Sequence, residues 1–406
     1  MFGAVAPPDL DSLVLVLAAS ALGAILSRFH RRVVLPTVVV EIVLGIVIGP
    51  DVLGLAEVDA YIDFLAGTGL AVLFFFAGLE VIEKHVPRQE LVRGSEGWAV
   101  SIAIGLVVGV VLQQAGLDAE WWVLGVAVST TALGTLVPIL SDAGVLGTRI
   151  GSAVLGTGVA GEFWPIVVIS VFLTGTYGAV AEVVLLLVFA ALVALAAAAA
   201  LRARPPRIVR VLRETVHTTG QAAVRVSLLV LGALVLLAND VGFDFVLGAF
   251  AAGLLVGLAL DSPEGEVVRM RLEGIGFGFL IPIYFVVTGI NFDLDSLLTL
   301  TGLGLAGLFL ALLLVARGTS SLLWLRELGT RQTLGLALFG ATGLPLIVAI
   351  VGIGMDRGAI AADVGTSLVG AGMISVLVFP LLAIRLIGRR PATEPAPGTG
   401  AEAVEY

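Results

Sequence analysis

The stretch that decides the fold occurs twice in this sequence. DAGVLGTRIGSAVLGTG (residues 142–158) is followed 214 positions later, without a gap, by DRGAIAADVGTSLVGAG (residues 356–372). Five of the seventeen paired positions are identical, and four of those five are glycines. Each copy follows an apolar stretch that proline interrupts, STTALGTLVPIL (129–140) and ATGLPLIVAIVG (341–352). In a membrane chain, interrupted helices at corresponding places of two halves indicate the site of a transporter.

The composition predicts an integral membrane protein. Of the 406 residues, 59% are hydrophobic and 13% charged, whereas soluble domains carry about 25% charged residues. The 51 glycines suit helices that pack closely in lipid. There is no cysteine, which excludes disulfides and thiolate metal sites. No nucleophile–base pair or metal-ligand cluster falls within the apolar runs, so we expect neither an enzyme, nor a cofactor, nor a nucleic-acid partner.

Apolar runs long enough to cross a bilayer as helices, roughly 17–25 residues, number thirteen. They cover about 10–27, 33–50, 61–82, 97–116, 121–140, 150–174, 179–201, 222–238, 243–260, 274–290, 296–316, 332–354 and 360–384. Taking alternate loops as cytoplasmic collects 20 of the 22 Lys and Arg residues, Arg269, Arg271 and Arg317 among them. The positive-inside rule then places the N-terminus outside and the C-terminus in the cytoplasm of a multi-pass cell-membrane protein.

The predicted fold is all-α, with two inverted five-helix repeats. Repeat one covers about 33–174 and repeat two about 243–386, joined by linker helices in 175–238. Because the repeats lie seven spans apart, their topologies are opposite, and their interrupted helices are expected to cross. Residues 1–390 form the transmembrane exchanger domain, and the polar segment 391–406 is predicted to be a disordered cytoplasmic tail.

Glu162 is the leading candidate for a transport site. It lies near the middle of the sixth span, after Gly161 and three residues before Pro165. An ionisable residue at that depth is costly and therefore indicates function. A carboxylate beside interrupted helices can replace the hydration shell of Na⁺ or K⁺, and a desolvated carboxyl also binds protons readily. The alternative is a glutamate that is hydrogen-bonded for packing alone.

The breaks in the helices supply further candidates. Thr130 and Thr131 precede Pro138 in the fifth span, and their hydroxyls either complete a cation shell or bond back to their own helix. In the twelfth span the break is assigned to Thr342, Gly343 and Pro345. The offset between the two copies places Val376 at the position that corresponds to Glu162, so repeat two contributes no matching charge.

Four residues are assigned to the surroundings of the site or to a proton path. Glu41, in the second span, is either a second proton site or the partner of Arg225. Arg225 lies in the first turn of the eighth span, where snorkelling to the cytoplasmic surface is the simpler interpretation. Gly161 and Thr157 complete the set. Glu80, near the end of the third span, is interpreted as an interfacial residue.

Five motifs together resemble one family of transporters. They are LPTVVVEIVLGIVIGPDVLGL, FFFAGLEV, VLGAFAAGLLVGL, GFGFLIPIYFVVTGINFDL and ATGLPLIVAIV, in that order over roughly residues 12–386. The chain resembles the monovalent cation:proton antiporter-2 family, the Kef-type sodium/hydrogen exchangers. The resemblance implies a homodimer in which a core domain with two crossed, broken helices moves like an elevator against a panel domain.

The chain departs from the family pattern at the ion site. The family has an Asp in the sixth span, usually preceded by Asn, Asp or Gln, where this chain has Gly161 and Glu162. Some electrogenic relatives carry a basic residue in the tenth span, and GFGFLIPIYFVVTG has none. Kef-type potassium systems usually carry a C-terminal nucleotide-binding domain, which this sequence does not contain.

The function predicted from the sequence is a secondary antiporter that exchanges a monovalent cation for H⁺ across the lipid bilayer. Na⁺ is the preferred cation, with Glu162 as its ligand, and the cycle is electroneutral because a single carboxylate alternates between cation and proton. The alternatives are a Kef-type K⁺/H⁺ antiporter and, less favoured, a sodium-coupled organic-anion symporter. A symporter of that kind needs a buried cation for its anion, and the sequence indicates none.

The orientation is directly testable. A reporter fused after Tyr406 should be active only in its cytoplasmic form, because nearly all loop cations fall on the side of the C-terminus. The measurement compares cytoplasmic and periplasmic reporters at that position. A periplasmic signal would also overturn the span count from which the inverted repeats are derived.

Overall fold

The structure is a computed structural model that describes residues 9–29, 36–83, 86–174, 221–260 and 263–388, together with positions 187, 191 and 195. Within these ranges every regular element is a helix. Most of the predicted seventh span, the linker residues up to 220 and the predicted tail 391–406 lie outside the described residues.

The described helices follow the predicted apolar runs. They are α1 Leu10–Phe29, α2 Thr37–Ile48, α3 Ala60–Glu83, α4 Arg88–Gln114, α5 Trp121–Val128, α6 Leu133–Asp142, α7 Arg149–Thr174, α8 Ala222–Val241, α9 Phe245–Ala259, α10 Pro263–Ile275, α11 Ile281–Ile290, α12 Leu294–Leu297, α13 Leu300–Ser320, α14 Leu325–Gly340, α15 Pro345–Asp356 and α16 Ala362–Ile387. Eight helical runs within the described ranges are long and apolar enough to cross a membrane. The chain is therefore a multi-pass integral membrane protein, as predicted.

The tenth span differs from its prediction. It was expected to begin at 274, after a loop with Arg269 and Arg271, but α10 already begins at Pro263. A π-helical segment, Gly276–Leu280, then joins α10 to α11 without a break. Both arginines are thus helical, and Arg269 Nε lies 2.8 Å from Glu273 Oε1, one turn along. Ion pairs at that spacing stabilise a helix. The charged residues of this segment therefore belong to a helix and not to a loop.

The helices form two groups. One, the panel group, contains α1, α2, α3, α8, α9, α10 and α11, with α3 against α9 and α2 against α11 as its largest contacts. The other, the core group, contains α4–α7 and α13–α16, centred on α4, α7 and α16. α7 packs on α3 and α9 and so joins the two groups. This division positions the candidate site, because α7 carries Glu162.

Glycines let the panel helices approach backbone to backbone. A Cβ atom added at Gly253 of α9 would lie 1.9 Å from the Phe75 carbonyl oxygen of α3, and one added at Gly78 would lie 2.1 Å from the Phe250 carbonyl oxygen. Small residues at such contacts are the usual basis of helix packing in lipid, where no hydrophobic force drives helices together. The panel group is therefore held by direct backbone contact.

An ion pair links the two groups at one end of the molecule. Asp244, at the N-terminus of α9, accepts a hydrogen bond from Arg357 Nη2 at 3.0 Å, and Arg357 follows α15 of the core group. Burial raises the pKa of Asp244, and the Val246 amide and the Arg357 guanidinium lower it in part. The Asp244 carboxylate is only 7% exposed and the guanidinium 43%, so the pair is partly shielded from water.

Candidate ion-binding site

The first broken helix is interrupted at residues 129–132. α5 ends at Val128 and α6 begins at Leu133, with Thr130 and Thr131 in the irregular turn between them. Pro138 was predicted to mark this break, and that prediction is wrong because Pro138 is the sixth residue of α6. A proline near the start of a helix removes one backbone hydrogen bond without ending the helix. The break is instead fixed by contacts with distant segments.

The second broken helix is interrupted as its sequence suggested. α14 ends at Gly340 and α15 begins at Pro345, so Thr342 and Gly343 lie in the gap. Pro345 occupies the first position of α15, where a missing N–H costs nothing and the fixed φ angle favours the helix.

The two breaks cross and satisfy each other. The Ala132 amide donates to the Thr342 carbonyl at 2.8 Å, and the Thr131 hydroxyl donates to the Gly340 carbonyl at 2.6 Å. The Thr131 amide donates to the Gly161 carbonyl of α7 at 3.1 Å. The Thr130 hydroxyl bonds back to the Ala127 carbonyl at 2.9 Å, as Ser and Thr often do. Thr131 therefore holds the crossing together, and Thr130 stays with its own helix.

Glu162 meets the start of the second half of the broken helix. Its Oε1 atom accepts from the Leu133 amide at 2.7 Å and from the Gly134 amide at 3.4 Å. These N–H groups have no partner within α6, and the helix dipole there favours a negative group. Amide donors at the first positions of α6 hold Oε1. α6 thus fixes the position of a carboxylate that is only 9% exposed.

A cavity of about 580 Å³ reaches this carboxylate. It lies between α1, α2, α3 and α11 on one side and α6 and α7 on the other, and three carboxyl groups line it: Glu41, Glu80 and Glu162. Its lining also includes Ser27, Pro36 and Thr37, from the adjacent ends of α1 and α2. The cavity therefore extends toward the end of the molecule where α1 ends and α2 begins. In the predicted topology, this end and the Asp244–Arg357 pair lie on opposite sides of the membrane.

Glu80 belongs to the cavity, and its interpretation as an interfacial residue is wrong. A Cβ atom added at Gly134 would lie 3.5 Å from Glu80 Oε1, and the Gly134 amide itself contacts Glu162. Gly134 therefore lies between the two carboxylates. The sequence placed Glu80 at the end of a span because only three residues of α3 follow it. In the structure, however, the first turn of α6 lies beside this part of α3.

Glu41 does not pair with Arg225. Its carboxyl group lines the cavity and the residue is 3% exposed, whereas Arg225 is exposed on α8, which packs mainly on α9. Among the described residues no ion pair joins the two. The other interpretation, in which Glu41 is a second proton site, stays a prediction.

Arg317 is the buried cation beside the crossing that the sequence did not reveal. It was counted as a loop cation, yet it lies in the last turn of α13 and is 1% exposed. Its Nε donates to the Gly340 carbonyl at 3.2 Å, its Nη2 to the Thr157 carbonyl at 3.0 Å and its Nη1 to the Ser101 hydroxyl at 3.3 Å. Its position after an apolar run is typical of a loop cation, and its partners come from distant segments, so no local signal marked it.

Gly161 is explained by this arginine. A Cβ atom there would lie 2.7 Å from Thr131 Oγ1, 2.8 Å from Thr131 Cβ and 2.9 Å from Arg317 Nη2. The polar side chain that the family resemblance leads us to expect at this position would overlap both residues. Thr131 and Arg317 thus fill the space beside Glu162, and Thr157 contributes its backbone carbonyl to the same arrangement.

The 214-residue offset of the repeat places Val376 at the position that corresponds to Glu162, and Val376 is a buried residue of α16. Ser375 precedes it and contacts the second break. The Gly343 amide donates to the Ser375 hydroxyl oxygen at 3.2 Å, just before α15, as the Leu133 amide donates to Glu162. The conclusion that no second charge is present is unchanged.

Two broken helices that cross beside a buried carboxylate, within a multi-pass helical protein, define the class of secondary transporters with a mid-membrane ion site. The chain belongs to the sodium/hydrogen exchanger family: the family profile described as "Sodium/hydrogen exchanger, transmembrane" matches residues 16–385. This family consists of antiporters and not enzymes, in agreement with the prediction.

Relatives and solved structures agree with this assignment. The chain is 29% identical to "Putative Na(+)/H(+) antiporter YjbQ" of Bacillus subtilis, over 94% of this chain and 64% of that protein. It thus spans slightly under two thirds of that relative's length. It is 24% identical to "Probable Na(+)/H(+) antiporter 3" of Methanocaldococcus jannaschii (88% and 92% covered) and 25% identical to "Na(+)/H(+)-K(+) antiporter GerN" of Bacillus cereus (85% and 88%). The fold matches the sodium proton antiporter MjNhaP1 of Methanocaldococcus jannaschii with a TM-score of 0.64 at 18% identity, covering 93% of this chain and 96% of that chain.

The role of Arg317 can be tested by Arg317→Lys. Lysine keeps the charge but cannot reach three acceptors with one planar group, so we expect a lower unfolding temperature and a loss of cation-driven proton movement. Thermal unfolding in detergent and exchange in proteoliposomes measure the two effects. Arg326→Lys is the matched control, since Arg326 is exposed. A folded Arg317→Lys protein with the stability and rate of the parent would contradict the role assigned to the guanidinium.

Proposed function

We propose that this chain exchanges Na⁺ for H⁺ at Glu162. The observation that carries the proposal is the placement of its carboxylate, which the first amides of α6 fix in the wall of a cavity beside the crossing of the breaks. A cation or a proton arriving through the cavity reaches the same carboxyl group. The two ligands therefore compete, and competition at one site is what couples their opposite movements.

Glu80 is proposed as the second carboxylate of the cation site. It faces Gly134 from α3 while Glu162 approaches Gly134 from α7, so a cation between them would receive oxygens from both groups of helices. Small monovalent cations need several oxygens to replace their hydration shell, and Thr135 also lines this part of the cavity. Thr130 and Thr131, whose hydroxyls donate to carbonyls, are proposed to shape the site and not to coordinate the cation directly.

The cycle is proposed to be electroneutral. Glu162 carries either a proton or the cation, and the two loaded forms have the same net charge. Arg317 adds a positive charge inside the bundle, but its partners are carbonyls and a hydroxyl within the core group, so its charge is the same in both forms. This arrangement also disfavours an organic-anion symporter, because Arg317 does not line the cavity.

The two groups of helices support an elevator-type cycle, with the core group carrying Glu162 along the panel group. In the proposed orientation the cavity opens to the cytoplasm and the Asp244–Arg357 pair closes the external side. Two inverted repeats within about thirteen spans, a homodimer formed through the panel group and membership of the Kef-type subgroup belong to the same proposal, supported by the sequence pattern.

Na⁺ is preferred over K⁺ because the names of the three relatives given above all include Na⁺. K⁺ is the second candidate, since one of those names also includes K⁺.

Replacement of Glu162 tests the site. Glu162→Gln keeps the size but cannot ionise, so it should abolish cation-driven proton movement in proteoliposomes while the protein stays folded. Glu162→Asp should retain some exchange with a different apparent cation affinity. Glu57→Gln, at an exposed residue outside the bundle, is the control and should behave as the parent. Exchange by folded Glu162→Gln at the parental rate would place the site elsewhere.

Electroneutrality is tested by the membrane potential. Because one cation is traded for one proton, clamping the potential at different values should leave the exchange equilibrium of the parent protein unchanged. The internal pH of proteoliposomes reports that equilibrium with each potential applied in turn. A shift of the equilibrium with potential would show that a further charge moves in the cycle.

A further inference from the structure

Glu41 is a buried carboxyl group to which the binding of cation and proton at Glu162 assigns no role. It lies on α2 of the panel group, is 3% exposed and lines the same cavity as Glu162. Within the described part of the chain it has no hydrogen-bond or ion-pair partner. Burying an ionisable group without a partner is costly, so its retention in the cavity wall points to a ligand that comes from the cavity.

The neighbouring helices are shaped around this side chain. A Cβ atom at Gly23 of α1 would lie 2.9 Å from Glu41 Cγ, so α1 leaves the space that the glutamate fills. On the other side, α2 is fixed against α11, where a Cβ atom at Gly45 would lie 2.1 Å from the Val286 carbonyl oxygen. Glu41 therefore occupies a built position between two packed helices.

No described cation faces Glu41. The titratable groups described on the elements around it are Tyr284 of α11, Asp11 at the far end of α1 and, across the cavity, Glu80 and Glu162. Among the side chains that the structure describes, an ionised Glu41 thus has no counter-charge unless a proton or a cation from the cavity joins it. Glu80 and Glu162 already provide two carboxylates on either side of Gly134, which leaves the proton as the ligand for Glu41.

A row of polar groups leads from the mouth of the cavity to Glu41. The Thr37 hydroxyl donates to the Ser27 hydroxyl at 3.2 Å, where the ends of α1 and α2 adjoin. Thr37 precedes Glu41 by one helical turn, so the two side chains share a face of α2, and all three residues line the cavity. Most of the remaining lining is apolar, which makes this face the polar route inward.

We propose that Glu41 is a proton relay between the mouth of the cavity and Glu162. A proton released by Glu162 as the cation binds passes through cavity water to the Glu41 carboxylate and then to water at the mouth, and the reverse sequence reloads Glu162. Each step moves one proton from a carboxyl group or hydronium ion to a carboxylate or water, so charge and atoms balance. The proposal rests on exchange at Glu162 and assigns Glu41 to the panel group, which stays in place while Glu162 moves.

Glu41→Gln separates this role from cation binding. The assay follows the internal pH of proteoliposomes at several cation concentrations. We expect the maximal exchange rate to fall about tenfold. A positioned acid–base group contributes ~10²- to 10⁴-fold to a rate, and the loss is smaller here because water in the cavity partly replaces the Glu41 carboxylate. The apparent KM for Na⁺ at alkaline pH should stay unchanged. Glu41→Asp keeps a carboxyl group and should restore most of the rate.

A second variant covers the case in which Glu41→Gln does not fold. Gly23→Ala pushes on the Glu41 side chain and should also lower the rate without changing KM, whereas Gly232→Ala, where no atom lies within 4 Å of the added Cβ, should not.

Parental rates in Glu41→Gln or, failing that, in Gly23→Ala would overturn the relay. A KM for Na⁺ that rises with the loss of rate would also overturn it, because Glu41 would then be a cation ligand. If the parent protein itself shows no cation-dependent proton movement, the failure lies with the proposed exchange.

Discussion

The backbone groups freed in the middle of two broken helices must find partners away from water, and the rest of this structure depends on how they do so. Ala132 and Thr342 pair amide to carbonyl, and Gly340 accepts from both Thr131 and Arg317. An unsatisfied group at that depth costs several kcal/mol, so neither break is stable without the other. The crossing therefore fixes α6, and α6 in turn fixes Glu162.

The same constraint sets which residues fit around the carboxylate. Gly161 has no side chain because Thr131 and Arg317 occupy the adjoining space. Glu162, one methylene longer than the aspartate of the family pattern, reaches the amides of α6 without help from a polar neighbour. The panel group contributes to the cavity from the other side through Glu41 and Glu80, and neither takes part in the hydrogen bonds described at the crossing.

The sequence predicted the parts of this architecture that depend on length and composition. In the described part of the chain, the apolar runs of membrane-spanning length form helices, the two interrupted runs form broken helices, and Glu162 lies at mid-helix as predicted. What failed depended on contacts between distant segments. Pro138 was mistaken for the break because the break is set by bonds to Gly161, Gly340 and Thr342. Arg317 and Glu80 lie near the ends of their helices, where a sequence cannot distinguish a lipid headgroup from a crossing helix as the neighbour.

The Asp244–Arg357 pair has a consequence for how the surroundings act on the protein. It joins the panel and core groups at the end remote from the cavity, so any sliding of one group along the other must break it. The guanidinium is 43% exposed, and dissolved ions screen a pair that is partly open to water, with a Debye length of about 8 Å at physiological ionic strength. A rise in salt on that side therefore weakens this contact between the two groups. In the proposed elevator cycle, the medium that supplies the ion would thereby also shift the balance between the two positions of the core group.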